Sequence, residues 1–87
     1  VVDENNQLIG IITDGDIRRM LEKNTNINEA CAQDIMSKNP KTISRNELAI
    51  KAFEQMEGNS ITQLVVTDGK TYLGMIHLHD LLREGIV

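Results

Sequence analysis

Residues 1–19, VVDENNQLIGIITDGDIRR, lie without a gap on residues 65–83, VVTDGKTYLGMIHLHDLLR. Val1/Val65, Val2/Val66, Gly10/Gly74, Ile12/Ile76, Asp16/Asp80 and Arg19/Arg83 are identical, and Ile9/Leu73, Ile11/Met75 and Ile17/Leu81 are apolar pairs. The order of features repeats too: strand, turn, strand, glycine, aliphatics, helix start. Self-similarity at one offset marks a duplicated structural unit, here of roughly 60 residues. The second copy reads as complete. The first lacks its front half, which is expected upstream of Val1. The expected division is residues 1–25 for the back half of the first copy and 26–87 for the second.

Within the second copy, Ala32–Ser37 reads as the end of a short helix running into Asn39-Pro40, because proline disfavours helix at the residue before it. Lys41-Thr42-Ile43 is a short extended piece. Ser44 and Glu47 form an S-x-x-E capping pattern at a helix start. Ala49, Ala52, Phe53 and Met56 fall on one apolar helical face, and Gly58 is a natural stop. Leu64-Val65-Val66 is a strand, Asp68-Gly69 a hairpin turn signal, Tyr72–Ile76 the partner strand, and Asp80–Arg83 the start of a last helix. Met20, Met36, Met56 and Met75 read as core fillers.

Composition narrows the function classes. The formal net charge of −4 argues against nucleic acid or an anionic membrane as partner. Phe53 and Tyr72 are the only aromatics, so no stacking platform for bases exists. No apolar run approaches the roughly 20 residues of a membrane span. Cys31 is the single cysteine, which excludes an intrachain disulfide and favours a reducing compartment. With no helper histidine in evidence it is not read as a nucleophile. The chain starts inside a strand without an initiator Met, so a fragment is expected. No phosphate-binding glycine loop, zinc-protease motif or catalytic carboxylate pair occurs.

The chemistry concentrates at GIITDGDIRR, residues 10–19. Thr13 is placed as a helix N-cap and Asp16 at the third helical position, a capping box with Asp in place of Glu. Arg18 and Arg19 sit just past the first turn, where positive charge opposes the helix dipole. A bound phosphate at the positive helix end would offset that, since such an end is a ready anion site. Plain capping is the alternative and is compatible with it. The second copy puts His77 at the position of Thr13 and His79 at that of Gly15, and keeps Asp80. These three are too few to read as a zinc site; polar lining of a cleft or a dimer contact is the expectation.

The order strand, helix, strand, strand, helix of the complete copy, together with the repeat, resembles the CBS domain (cystathionine-β-synthase domain), which occurs in tandem pairs. The resemblance rests on Asp34-Ile35-Met36, Pro40, Thr42-Ile43, Val65-Val66, Gly74-Met75-Ile76 and Asp80-Leu81-Leu82, and in the first copy on Val1-Val2-Asp3 and Gly10–Asp16. It implies an α/β (α+β) fold of β-α-β-β-α units, ferredoxin-like and mostly antiparallel, packed about a pseudo-two-fold with clefts between the copies. It also implies an adenosyl nucleotide whose phosphate meets Thr13 and whose ribose hydroxyls meet Asp16. The candidate ligand-binding residues are therefore Thr13, Asp16, Arg18, Arg19, Thr42, Ile43, His77, His79 and Asp80, with no catalytic residue and no metal ligand.

A narrower resemblance is to the C-terminal region of the arabinose 5-phosphate isomerase family, carried by GIITDGDIRR and GMIHLHDLLREGIV. It implies an upstream sugar isomerase domain interconverting ribulose 5-phosphate and arabinose 5-phosphate for lipopolysaccharide sugar synthesis in the cytoplasm. The present chain would be its regulatory module, with no cofactor, binding a nucleotide or nucleotide sugar as small-molecule effector and forming a homodimer or higher homo-oligomer. The alternatives are a purely structural dimerisation module with an empty cleft and a CBS pair of a different parent enzyme or transporter.

Overall fold

The computed structural model describes residues 1–23 and 26–85. The chain divides into two compact units, residues 1–40 and 41–87.

In the first unit a short hairpin is closed by a bridge between Val2 and Leu8. Its turn is held by Asp3, whose Oδ1 accepts the N–H groups of Asn5 and Gln7, each at 2.9 Å. Strand β1 (Gly10–Ile11) leads into helix α1 (Asp14–Glu22), and α2 (Ala32–Ile35) into β2 (Ser37–Lys38). β2 pairs antiparallel with β1, Gly10 opposite Lys38 and Ile11 opposite Ser37. Ser37 is thus a strand residue, not the helix end its neighbours implied. The helix stops at Ile35, and Met36 is already extended at ψ 152°. Two interactions pull Ser37 away: the ladder to β1 and a side-chain hydrogen bond to Asp16. β2 lies within the second sequence copy, yet it pairs with the strand of the first.

The second unit has the expected order: β3 (Thr42–Ser44), α3 (Ala49–Gly58), β4 (Gln63–Asp68), β5 (Thr71–His77) and α4 (Leu78–Arg83). The sheet order is β3-β4-β5. β3 runs parallel to β4, because the α3 crossover returns the chain in the same direction; β4 and β5 form an antiparallel hairpin. Asp68 faces Thr71 across the turn, where Gly69 takes the left-handed φ of 60° that glycine adopts at no steric cost. Past Val66–Gly74 the register shifts, leaving Leu73 as the extra residue on β5.

The core of this unit is Ile43, Ala52, Met56, Leu64 and Leu81, with Ala49, Phe53, Ile61, Val66, Ile76 and Leu78 packed against it. The apolar face read from the spacing of Ala49, Ala52, Phe53 and Met56 is therefore the face α3 buries. Met20 and Met56 are buried, while Met36 and Met75 are half-buried. The helix start differs from the S-x-x-E reading. Ser44 is the last residue of β3, and α3 begins five residues later behind Leu48. The Ser44 hydroxyl instead accepts the Asn46 N–H at 3.3 Å, and its carbonyl accepts the Glu47 N–H at 3.0 Å. Ladder pairing to Thr67 holds Ser44 extended, so its capping chemistry is spent on a turn.

Candidate functional site

Thr13 caps α1 as its spacing requires. Its hydroxyl accepts the Asp16 N–H at 3.3 Å, and Asp16 Oδ2 reaches back to the Thr13 N–H at 2.9 Å and the Thr13 hydroxyl at 3.1 Å. The other carboxylate oxygen, Oδ1, accepts from the Ser37 hydroxyl at 2.7 Å and pairs with the Arg19 guanidinium. Asp16 is only 5% exposed. The Ser37 hydroxyl and then the Thr13 N–H, against the opposing effect of burial and helped by Arg19 and the Thr13 hydroxyl, hold its carboxyl down to about 2 from the ordinary 3.8.

This arrangement accounts for Arg19 without a ligand. Its charge is one helical turn from Asp16, where i,i+3 pairing replaces an unfavourable approach to the helix dipole with an ion pair. Arg18 is exposed on the same helix and makes no ion pair among the described residues.

The second copy repeats the same three-part turn in a more open form. Asp80 Oδ2 accepts the His77 N–H at 3.1 Å, and Arg83 donates to Asp80 Oδ1 at 2.7 Å. The His77 N–H first, with burial opposing and Arg83 assisting, holds the Asp80 carboxyl below its ordinary value. His77 ends β5 and caps α4, whereas His79 is inside α4. The two histidines therefore do not share a strand face; both are exposed.

Thr42 and Ile43 lie on β3. Ile43 belongs to the core at 8% exposure, and the Thr42 carbonyl accepts from Gln55 Nε2 at 3.0 Å. Thr42, Ile43, Ser44, Glu47, Lys51, Glu54 and Gln55 line a shallow open depression of about 560 Å³. Lys51 lies 3.6 Å from Glu54, so the cationic group there is already matched by carboxylate. Ser37 and Arg83 were missing from the sequence-based set. Arg83 was readable as the repeat partner of Arg19; Ser37, 21 residues from Asp16, carried no local signal.

Residues 1–23 and 32–86 match the family described as CBS domain. This chain belongs to the CBS domain family. The α/β fold class expected of that family is borne out by solved CBS structures. The CBS domain pair of protein MJ0100, in complex with 5′-methylthioadenosine and S-adenosyl-L-methionine, matches with a TM-score of 0.79 at 28% identity, covering 98% of this chain and 66% of that one. CBSX2, in complex with AMP, shares the fold at a TM-score of 0.80 and 20% identity, covering 99% and 68%.

Among curated proteins, the chain is similar to arabinose 5-phosphate isomerase KdsD of Francisella tularensis subsp. tularensis, 48% identical over 84 residues. The KdsD proteins of Yersinia pestis and Escherichia coli K12 are 39% and 36% identical over 87 residues. The match takes in 95–100% of this CBS chain but 26% of each relative. The chain thus spans about a quarter of the length of the curated relatives it matches.

Proposed function

We propose that this CBS chain is the effector-sensing part of a sugar-phosphate isomerase, most concretely an arabinose 5-phosphate isomerase of lipopolysaccharide sugar synthesis in the cytoplasm. The parent assignment is supported by the similarity to KdsD proteins. Aldose–ketose interconversion then belongs to an upstream isomerase domain, and the present residues are not catalytic. The effector class, an adenine nucleotide or a nucleotide sugar, is supported by the adenosyl ligands of the MJ0100 pair. In this reading residues 1–25 and 26–87 belong to two repeats, and CBS pairs join the protein as a homodimer or higher homo-oligomer.

One observation carries the ligand site: the α1 N-terminus with Thr13 and Asp16, the motif positions at which the family resemblance puts phosphate and ribose. The unliganded wiring gives the site a mechanism. Ribose hydroxyls donating to Asp16 would take the places of Ser37 and Arg19 on Oδ1. The released guanidinium, and Arg18 beside it, would then be available to phosphate. Within the second unit, Thr42, Ile43, His77, His79 and Asp80 are the candidate ligand-binding residues of this reading. Binding that exchanges these partners favours one arrangement of the Ser37 strand over another, and regulation is that difference in affinity passed to the isomerase domain.

A second reading has its own observation. All the accepting capacity used at Asp16 is filled from within the chain, as expected of a structural module with no effector. Calorimetric titration with AMP, ATP and a cytidine nucleotide separates the two. A sensor binds at least one of them, gains several degrees of thermal stability at saturation, and loses both on Thr13→Ala. Absence of heat and of any stabilisation with all three supports the structural module. In the parent enzyme, a nucleotide that binds must also change the rate of ribulose 5-phosphate to arabinose 5-phosphate conversion.

A further inference from the structure

The tripeptide Thr-Asp-Gly occurs twice, as Thr13–Gly15 and as Thr67–Gly69. An Asp-Gly bond is a weak point of a polypeptide toward isoaspartate formation, because the glycine nitrogen meets no side chain of its own on the way to the Asp carboxyl carbon. With the same three residues in both places, the fold decides which one reacts. Asp14 and Gly15 are the first two residues of α1. Arg19 Nη1 and Thr13 Oγ1 stand 3.4 and 3.6 Å from the place of a Gly15 Cβ. Turning the Asp14–Gly15 peptide out of the helix breaks the bond of the Ile17 N–H to the Thr13 carbonyl and the capping box between Thr13 and Asp16. Asp68 and Gly69 lie at the tip of the β4–β5 hairpin, both exposed. Gly69 has a positive φ of 60° and Lys70 does not, the pattern of a two-residue type II′ turn. Among the described residues the Gly69 N–H has no acceptor, and the Asp68 carboxylate has neither a hydrogen bond nor an ion pair. A Cβ at Gly69 would meet nothing within 4 Å.

We propose that Asp68 is a site of spontaneous isoaspartate formation in the folded protein, and that Asp14 is spared. The Gly69 nitrogen attacks Asp68 Cγ. As the new N–Cγ bond forms, a carboxyl oxygen leaves as water, taking the Gly69 amide proton, and a succinimide ring remains. Water then opens the ring. Cleavage of the N–Cγ bond returns aspartate. Cleavage of the bond between the Asp68 main-chain carbonyl carbon and the Gly69 nitrogen leaves the chain running through Cβ and Cγ, with a free α-carboxylate. One water leaves and one returns, nothing is oxidised or reduced, and no other reactant is needed. The product has one more main-chain atom at a turn whose length sets the strand register. The Asp68–Thr71 pair is the first to be lost, while buried Leu64 and Val65 hold the rest of the ladder. Two amide-bearing rivals, Asn59-Ser60 and Asn5-Asn6, have the attacking nitrogen engaged: the Ser60 N–H donates to the Glu57 carbonyl at 3.3 Å and the Asn6 N–H to that of Asp3 at 3.0 Å. The inference stands on the hairpin and the helix start, independently of any effector.

The test is to age the intact protein for weeks at neutral pH, digest it, and read each peptide by mass spectrometry with fragmentation that distinguishes isoaspartate from aspartate. A parallel sample is kept unfolded in urea. In the folded protein isoaspartate at residue 68 should exceed that at residue 14 on the order of fivefold or more, the protection given by one helix cap. In urea the two should accumulate at comparable rates. An isoaspartate-specific protein carboxyl methyltransferase supplied with S-adenosylmethionine should label aged wild-type protein and leave aged Asp68→Ser unlabelled. Equal accumulation at residues 14 and 68 in the folded protein would overturn the proposal, as would the absence of isoaspartate at residue 68. So would a preference for residue 68 that persists in urea, which would place the cause in sequence neighbours rather than in the fold.

Discussion

The Ser37 hydroxyl donates to Asp16 Oδ1 at 2.7 Å across 21 residues of sequence. This bond joins the first turn of α1 to β2, and it is the largest single cause of the lowered Asp16 pKa. The same carboxylate caps its own helix through Thr13 and pairs with Arg19. One buried group therefore ties together the helix start, the strand beside it and Arg19. A ligand that competes for Asp16 competes with all three.

Removal of Ser37 should act most strongly in acid. The folded pKa of Asp16 lies below its unfolded value, so its contribution is fully present above about pH 4 and fades as pH falls toward about 2. Ser37→Ala raises the folded value, narrows that gap and moves the acid-unfolding midpoint upward. It should also lower stability near pH 7 by about 1 kcal/mol, the worth of one hydrogen bond. Acid titrations followed by far-UV circular dichroism check the direction; an unmoved midpoint would show that the bond contributes little in solution.

Gly10 and Gly74 should respond unequally to the same substitution. Gly10→Ala pushes a methyl into Met36 Sδ and to 3.0 Å from the Ser37 carbonyl oxygen, so a loss of about 1–3 kcal/mol is expected from overpacking. Gly74→Ala meets open space in this chain and should change stability by no more than about 0.5 kcal/mol. Urea melts of both variants measure the contrast directly.

Leu64 is 1% exposed at the centre of the second unit's core, beside Met56 and Ala52. Leu64→Ala should cost about 2–5 kcal/mol through lost transfer energy and a cavity. In a chain this small that is a large part of the total stability. Thermal unfolding should show a drop of many degrees, whereas Leu48→Ala, at a residue 68% exposed, should be close to neutral.

His77 occupies the N-cap of α4 without a side-chain cap bond, while Asp80 already bonds its N–H. His77→Thr rebuilds the first copy's capping box in the second. It should stabilise the chain by about 0.5–1 kcal/mol at neutral pH. A lower melting temperature for this variant would mean that the His77 ring makes a favourable interaction that threonine cannot replace.

Much of this was legible because it is local or periodic. Thr13 and Asp16 are three residues apart, so the capping box needs only the helix start. The α3 face follows from the spacing of Ala49, Ala52, Phe53 and Met56, and Gly69 marks its own turn. The family followed from the order of such pieces, seen twice. Ser37 was misread because its strand and its bond to Asp16 depend on residues 26 and 21 positions away, which no local preference encodes. Ser44 was misread because a sound capping pattern competes with a ladder to Thr67 and loses. The Arg19–Asp16 pair was not read because Asp16 had already been assigned to capping; a carboxylate has room for both.

The central claim, that the α1 turn is an effector site built on Asp16, is tested most directly by a nuclear magnetic resonance titration of the ¹⁵N-labelled chain with AMP, ATP and a cytidine nucleotide. The account predicts saturable shifts at the backbone amides of Thr13–Ile17 and at Ser37 and the Arg19 side chain with at least one of them, all lost in Thr13→Ala. Spectra that stay unchanged with every nucleotide at millimolar concentration, or shifts confined to residues remote from Thr13 and Asp16, would contradict it.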